Sequence, residues 1–98
     1  MPKSIVIQGR RWFQKTNGNT YHSCTIIVDG VEIEGVSFCY GYDDAYVDSA
    51  AQQLEKAGIL KREIRPGSGC VEHLWRCCER LGITLHYSAV DVARKKDL

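Results

Sequence analysis

With 98 residues the chain has room for one compact domain with a small core, and none for a cofactor-binding domain joined to a separate substrate domain. Its 13 basic and 12 acidic residues nearly cancel, which argues against a polyanion binder held by long-range attraction and leaves only a local charged patch open. There is no apolar run of about eighteen residues to cross a membrane, and Met1-Pro2-Lys3-Ser4 leads straight into a strand pattern without a signal-peptide core, so a cytoplasmic protein without membrane contact is expected.

Lys3 to Gln14 and Thr20 to Val28 are rich in β-branched and aromatic residues, and Asn17-Gly18 between them suits a two-residue type I′ turn. That turn would set Phe13 opposite His22, Arg11 opposite Cys24, Gly9 opposite Ile26 and Ile7 opposite Val28. A second turn, Asp29-Gly30, would pair Val28 with Val31 and Ile26 with Ile33. Both counts put Ile26 and Val28 on one side, which predicts a three-stranded antiparallel meander with Ile5, Ile7, Ile26, Val28, Val31 and Ile33 inside. Alternation then turns Gln8, Arg10, Trp12, Gln14, Tyr21, Ser23, Thr25, Glu32 and Glu34 outward. After Glu34 the pattern fails unless Gly35 forms a bulge, which would return Val36, Phe38 and Tyr40 to the inner side.

Asp43 or Asp44 can cap a helix running to about Ala57, with Tyr46, Val47, Ala50, Leu54 and Ala57 as its apolar stripe, Gly58 as its stop and Ile59 closing back on Leu54. The acids Asp43, Asp44 and Asp48 then need no ligand, since negative charge suits a helix start. Leu60 to Ile64 reads as a short extended piece and Arg65-Pro66-Gly67-Ser68-Gly69 as a loop. A second helix is expected from about Cys70 to Leu81, with Val71, Leu74, Trp75, Cys78 and Leu81 on its core side and Gly82 as its stop. Ile83 to Val92 forms a last strand. The expected fold is thus a single α+β domain over residues 1–93, an antiparallel sheet with two helices packed on one face in the order βββααβ, followed by a charged tail, 94–98, that frays.

The outward set suggests a contact surface. Arg10, Trp12, Gln14 and Tyr21 would project as neighbours while Arg11, Lys15 and His22 crowd the hairpin tip. An exposed Trp beside Arg buries much area at little entropic cost in a protein interface, and the same mix can stack unpaired bases while gripping phosphate. Near-neutral charge and the outward acids Glu32 and Glu34 favour a protein partner over nucleic acid. Trp12 covered by a loop, by the C-terminal tail or by a dimer mate is the structural alternative, and homodimerisation through the exposed sheet or an edge strand stays open.

Chemistry on the five cysteines is less well supported. Cys70, His73 and Cys77 share one side of the expected second helix, but a structural zinc site needs four ligands, so Cys39 or His86 would have to supply the last. Cys39, just before the first helix, is the least implausible nucleophile, with His22 as its base, yet no triad or oxyanion device is legible. Vicinal Cys77-Cys78 reads as packing, and the odd number without CxxC spacing reads as reduced thiols. No catalytic residue, metal ligand or cofactor is assigned: neither GxxxxGK[ST] nor GxGxxG occurs.

The run Gly9-Arg10-Arg11-Trp12-Phe13-Gln14-Lys15 with Gly18-Asn19-Thr20-Tyr21-His22-Ser23, followed by Val28-Asp29-Gly30 and Tyr40-Gly41-Tyr42, resembles small proteins encoded by bacteriophages and prophages, a similarity spanning roughly residues 1–60. Such proteins are often non-enzymatic inhibitors or decoys of host proteins, including defence components such as CRISPR effectors. The resemblance implies a binder of a host protein in the host cytoplasm. It carries over no functional residue. A nucleic-acid-binding accessory protein using the same face is the second reading, and a zinc- or cysteine-dependent enzyme the third.

Overall fold

A computed structural model describes residues 2–98 as one α+β domain. Strands β1 (Ser4–Gln14), β2 (Asn19–Val28) and β3 (Val31–Tyr40) form the expected meander. Helices α1 (Ala45–Lys56) and α2 (Leu74–Leu81) follow, then strand β4 (Thr84–Val92). The sheet order is β3-β2-β1-β4, and β4 runs parallel to β1, so the sheet is mixed rather than antiparallel. The two helices between β3 and β4 supply the crossover that a parallel neighbour requires.

The Asp29-Gly30 turn has the predicted form: both residues take positive φ, 50° and 82°, and Val28 faces Val31. The Asn17-Gly18 turn does not. Gln14 pairs with Asn19 across a four-residue loop, Lys15 to Gly18, in which only Gly18 has positive φ and its N–H reaches the Gln14 carbonyl at 2.8 Å. The register therefore moves by two residues: Ile7 faces Ile26, Gly9 faces Cys24, Arg11 faces His22 and Phe13 faces Thr20. A shift of two leaves every side chain on its predicted face, which is why the core survives the error.

Ile5, Ile7 and Ile26 are fully buried against Ala50, Ala51 and Leu54 of α1, with Val28, Ile33 and Val36 packed around them. Each fully buried aliphatic side chain of this kind contributes roughly 1.5–3 kcal/mol. Val31, expected inside, is mostly exposed because it sits at the turn beyond the helices. Gly9 is the floor under Tyr46: a Cβ there would lie 2.6 Å from the ring.

β3 carries the predicted bulge at Gly35 and a second one further on, since Cys24 faces Val36 whereas His22 faces Cys39. The first bulge returns Val36 to the core. The second reverses the faces of the remaining strand, so Phe38 and Tyr40, expected inside, lie on the outer face.

α1 ends in the expected closure, Ile59 N–H to the Leu54 carbonyl and Gly58 N–H to that of Glu55, at 3.0 Å each. Its start differs: Asp44 makes no side-chain cap, and Asp48 instead takes Gln52 and Arg62. α2 begins four residues later than predicted. Ile64 bridges Val71 in a small hairpin around Pro66 and Gly67, and the carboxylate of Glu72, buried with its residue, accepts the Glu63 N–H at 2.9 Å and an Arg80 N–H at 2.5 Å. Starting at Leu74 puts Leu74, Cys77, Cys78 and Leu81 on the core side and leaves Val71 and Trp75, both expected there, 46% exposed. Past β4 the tail forms a short 3-10 turn, Lys95–Asp97, folded back toward the outer face of the sheet.

Candidate functional site

Helices α1 and α2 lie on the inner face, and among the described residues the outer face meets only the C-terminal tail, with Lys95 beside Phe38 and Leu98 in a groove with Arg10. Alternation places Arg10, Trp12 and Gln14 of β1 and Tyr21, Ser23 and Thr25 of β2 there, directly paired as Trp12 with Tyr21, Arg10 with Ser23 and Gln14 with Asn19. The second bulge adds Phe38 and Tyr40 from β3. Trp12 and Tyr21 have ring centroids 5.9 Å apart with planes 27° from parallel, and Tyr21 and Phe38 lie 4.8 Å apart at 15°. Tyr40 meets Tyr21 edge-on at 5.7 Å. The ammonium of Lys95 sits 5.0 Å from the centre of the Phe38 ring.

This geometry decides what the face can hold. Near-parallel rings 4.8 Å apart cannot lie side by side on the sheet; they stand upright, one per strand, at about the strand spacing of 4.7–4.9 Å. Tyr21 thus has Trp12 on one face and Phe38 on the other, and Lys95 is near the far side of Phe38. An inserted base needs a free ring face, whereas a protein surface packs on ring edges and aliphatic rims. Beside the rings, Arg10 donates from Nε to Ser23 Oγ at 3.0 Å and from Nη2 to Thr25 Oγ1 at 3.2 Å, which pins its guanidinium along the sheet and seals Ser23 at 1% exposure. A fixed guanidinium loses little freedom on meeting an acceptor. Phe38 and Tyr40 are the open end of the set, at 45% and 63% exposure.

Of the seven residues expected to form a binding surface, Arg10, Trp12, Gln14 and Tyr21 share this face. Arg11 points to the other side, where its Nε meets Asp91 Oδ1 at 3.0 Å, and Lys15 lies in the exposed hairpin loop; both line a shallow groove with Phe13, Tyr42 and Val92. His22 belongs to neither surface. It is 1% exposed, with Nδ1 3.1 Å from the Gly41 carbonyl and Nε2 2.7 Å from Ser49 Oγ. Since a carbonyl only accepts, Nδ1 carries the proton and Nε2 takes the Ser49 hydroxyl. Phe38 and Tyr40 escape sequence reasoning because β3 has two bulges and only the first carries a glycine.

The same contacts bear on catalysis. His22 does face Cys39 across the strands, but both of its ring nitrogens are engaged elsewhere, so it is not free to serve that thiol. Ser49 and His22 have the separation of a nucleophile and its base, yet the imidazole is sealed in the core with its other nitrogen on the Gly41 carbonyl, so the pair is a satisfied interior contact. Burial pushes the thiols of Cys24, Cys77 and Cys78 up, the last to about 11, which holds them in the unreactive protonated form. The Cys70, His73 and Cys77 trio is dispersed between the loop, the residue before α2 and the core. Among the described residues no three His, Cys, Asp or Glu are grouped to hold a metal ion. Among them, too, no helix is long and apolar enough to cross a membrane.

Comparison of the chain with protein families, with curated proteins and with solved structures finds no match.

Proposed function

We propose that this protein is a non-enzymatic binder that docks on a host protein through the outer face of its sheet and inhibits or modulates it. The observation that supports this is the upright stack of Trp12, Tyr21 and Phe38, flanked by Tyr40 and the pinned Arg10, on a sheet face that neither α1 nor α2 covers. Aromatic side chains and arginine are the residue types that dominate binding energy at protein interfaces. The phage setting, with a host protein or defence component as target, comes from the resemblance of the N-terminal residues alone. Nucleic acid is the weaker reading because the ring faces are already used on one another.

The test is capture from a lysate of the bacterial host by the tagged protein, with and without nuclease, against a Trp12→Ala, Tyr40→Ala double variant. A partner retained after nuclease by the wild type and lost by the variant, whose circular dichroism and melting cooperativity are kept, supports the reading; loss of even one hot-spot residue, at about 2 kcal/mol, corresponds to an affinity drop of about 30-fold. Equal capture by both proteins rejects this face, and capture abolished by nuclease turns the case to nucleic acid.

A further inference from the structure

Among the described residues β4 ends the sheet with one side unpaired, and its geometry fixes which backbone groups are left over. Thr84 donates its N–H to the Lys3 carbonyl at 2.9 Å, and the parallel register runs from Ser4 with Thr84 to Trp12 with Val92. The N–H and C=O of a strand residue point to the same side and neighbours alternate, so residues 84, 86, 88, 90 and 92 turn toward β1. Leu85, Tyr87, Ala89 and Asp91 present their N–H and C=O groups to the open edge.

The other edge of the sheet is blunted. β3 is bent by two bulges and carries Glu32 and Glu34, both devices that discourage pairing. β4 has neither: its nine residues contain no Pro, no Gly and no bulge, and Asp91, its one acid, is held by Arg11 at 3.0 Å. Apolar side chains stand open beside it: Val90, 60% exposed on the outer side, and Tyr87 and Trp75, which share a groove on the helix side.

We propose that β4 pairs antiparallel with β4 of a second copy of this chain, about a two-fold axis that passes perpendicular to the sheet beside Ser88. Ser88 is the midpoint of Thr84–Val92, so in this register the two strands overlap over their full length and every outward residue has a partner: Leu85 faces Asp91 and Tyr87 faces Ala89. The side chains fit. The large ring of Tyr87 meets small Ala89, Val90 meets His86, Val92 meets Thr84, and no like charges stand opposite each other. That complementarity of the strand to itself is the reason to assign the edge to a second copy rather than to a foreign strand. An axis perpendicular to the sheet keeps both helical layers on one side and both aromatic stacks on the other. The four-stranded sheet would double, and the dimer would offer its outer face twice, which raises the avidity for a repeated or dimeric partner.

Sedimentation equilibrium of the full chain over a range of concentrations, with amide exchange followed by NMR, tests this. A reversible dimer is expected in which the amides of Leu85, Tyr87, Ala89 and Asp91 are protected and become exchangeable on dilution, while those of His86, Ser88 and Val90 stay protected in the monomer as well. Ala89→Pro removes an N–H that the β1 ladder does not use, at a strand edge where proline is tolerated, and should weaken the dimer about tenfold or more. Val90→Lys, which places charge beside the seam without touching the backbone, should weaken it too and serves if the proline variant does not fold. A chain that stays monomeric at every concentration overturns the proposal. So does a dimer whose outward β4 amides exchange freely, a dimer broken by Trp12→Ala and untouched by Val90→Lys, or protection of those amides only when a captured partner is added.

Discussion

The two faces of one sheet are built by the same alternation and finished in opposite ways. On the inner face, Ile5, Ile7 and Ile26 find a second layer in Ala50, Ala51 and Leu54, and the one polar interior ring, His22, has both nitrogens bonded. On the outer face the large side chains pack mainly on one another, with Lys95 of the tail beside Phe38: Trp12, Tyr21 and Phe38 stack across three strands and Tyr40 leans on Tyr21 edge-on. The inner arrangement is what folding demands, because apolar side chains there leave water completely. The outer arrangement is not, since threonine or serine in those positions would keep the strands and shed the exposed apolar surface. That contrast is the ground on which the proposed binding face rests.

The sharpest way to break the contrast is to measure both faces on one stability scale. Ile26→Ala empties a site closed on every side and should cost about 2–5 kcal/mol in urea unfolding. Trp12→Ala, on the open face, should cost distinctly less; equal losses would make the outer stack a second core and remove the ground for calling it a binding face. Gly9→Ala comes next. The added methyl would sit 2.6 Å from the ring of Tyr46, itself buried and unable to swing away, so an overpacking loss of about 1–3 kcal/mol is expected from a substitution that ordinarily stabilises a strand. Leaving stability unchanged would mean that Tyr46 is not fixed against β1.

Much of this is legible in the sequence, and the limits have physical causes. Faces follow from parity alone, so Ile5, Ile7 and Ile26 fall inside and Arg10, Trp12 and Tyr21 outside even though the first turn is two residues longer than Asn17-Gly18 suggests. Registers depend on turn geometry, and Asn-Gly fits a four-residue loop with only its glycine in the left-handed region as well as it fits a tight turn. The second bulge has no glycine to announce it, which hides Phe38 and Tyr40. The start of α2 is misplaced because the contact that holds the preceding residues extended, Glu72 with Glu63 and Arg80, joins groups on two sides of a loop and has no periodic signature. The direction of β4 is set by the crossover and not by its own residues, so alternation alone does not distinguish a parallel strand from an antiparallel one.

The smallest effect sharpens the contrast from the side of the tail. Lys95 is exposed, and its ammonium lies 5.0 Å from the Phe38 ring, where an exposed cation and ring are worth about 0.5–1 kcal/mol. Lys95→Ala should therefore lower stability by less than about 1 kcal/mol, far below either core change. Its effect on binding has the opposite potential. If the open side of Phe38 is part of the contact, a partner must displace this lysine or accept it, so the variant should capture the partner more tightly or with a changed salt dependence while unfolding almost as the wild type does. Identical capture at every salt concentration would place the contact nearer Trp12 and the β1 end of the stack, away from the tail. A large loss of stability would show that the tail closes the outer face as a genuine second layer, and the two faces would then differ only in what covers them.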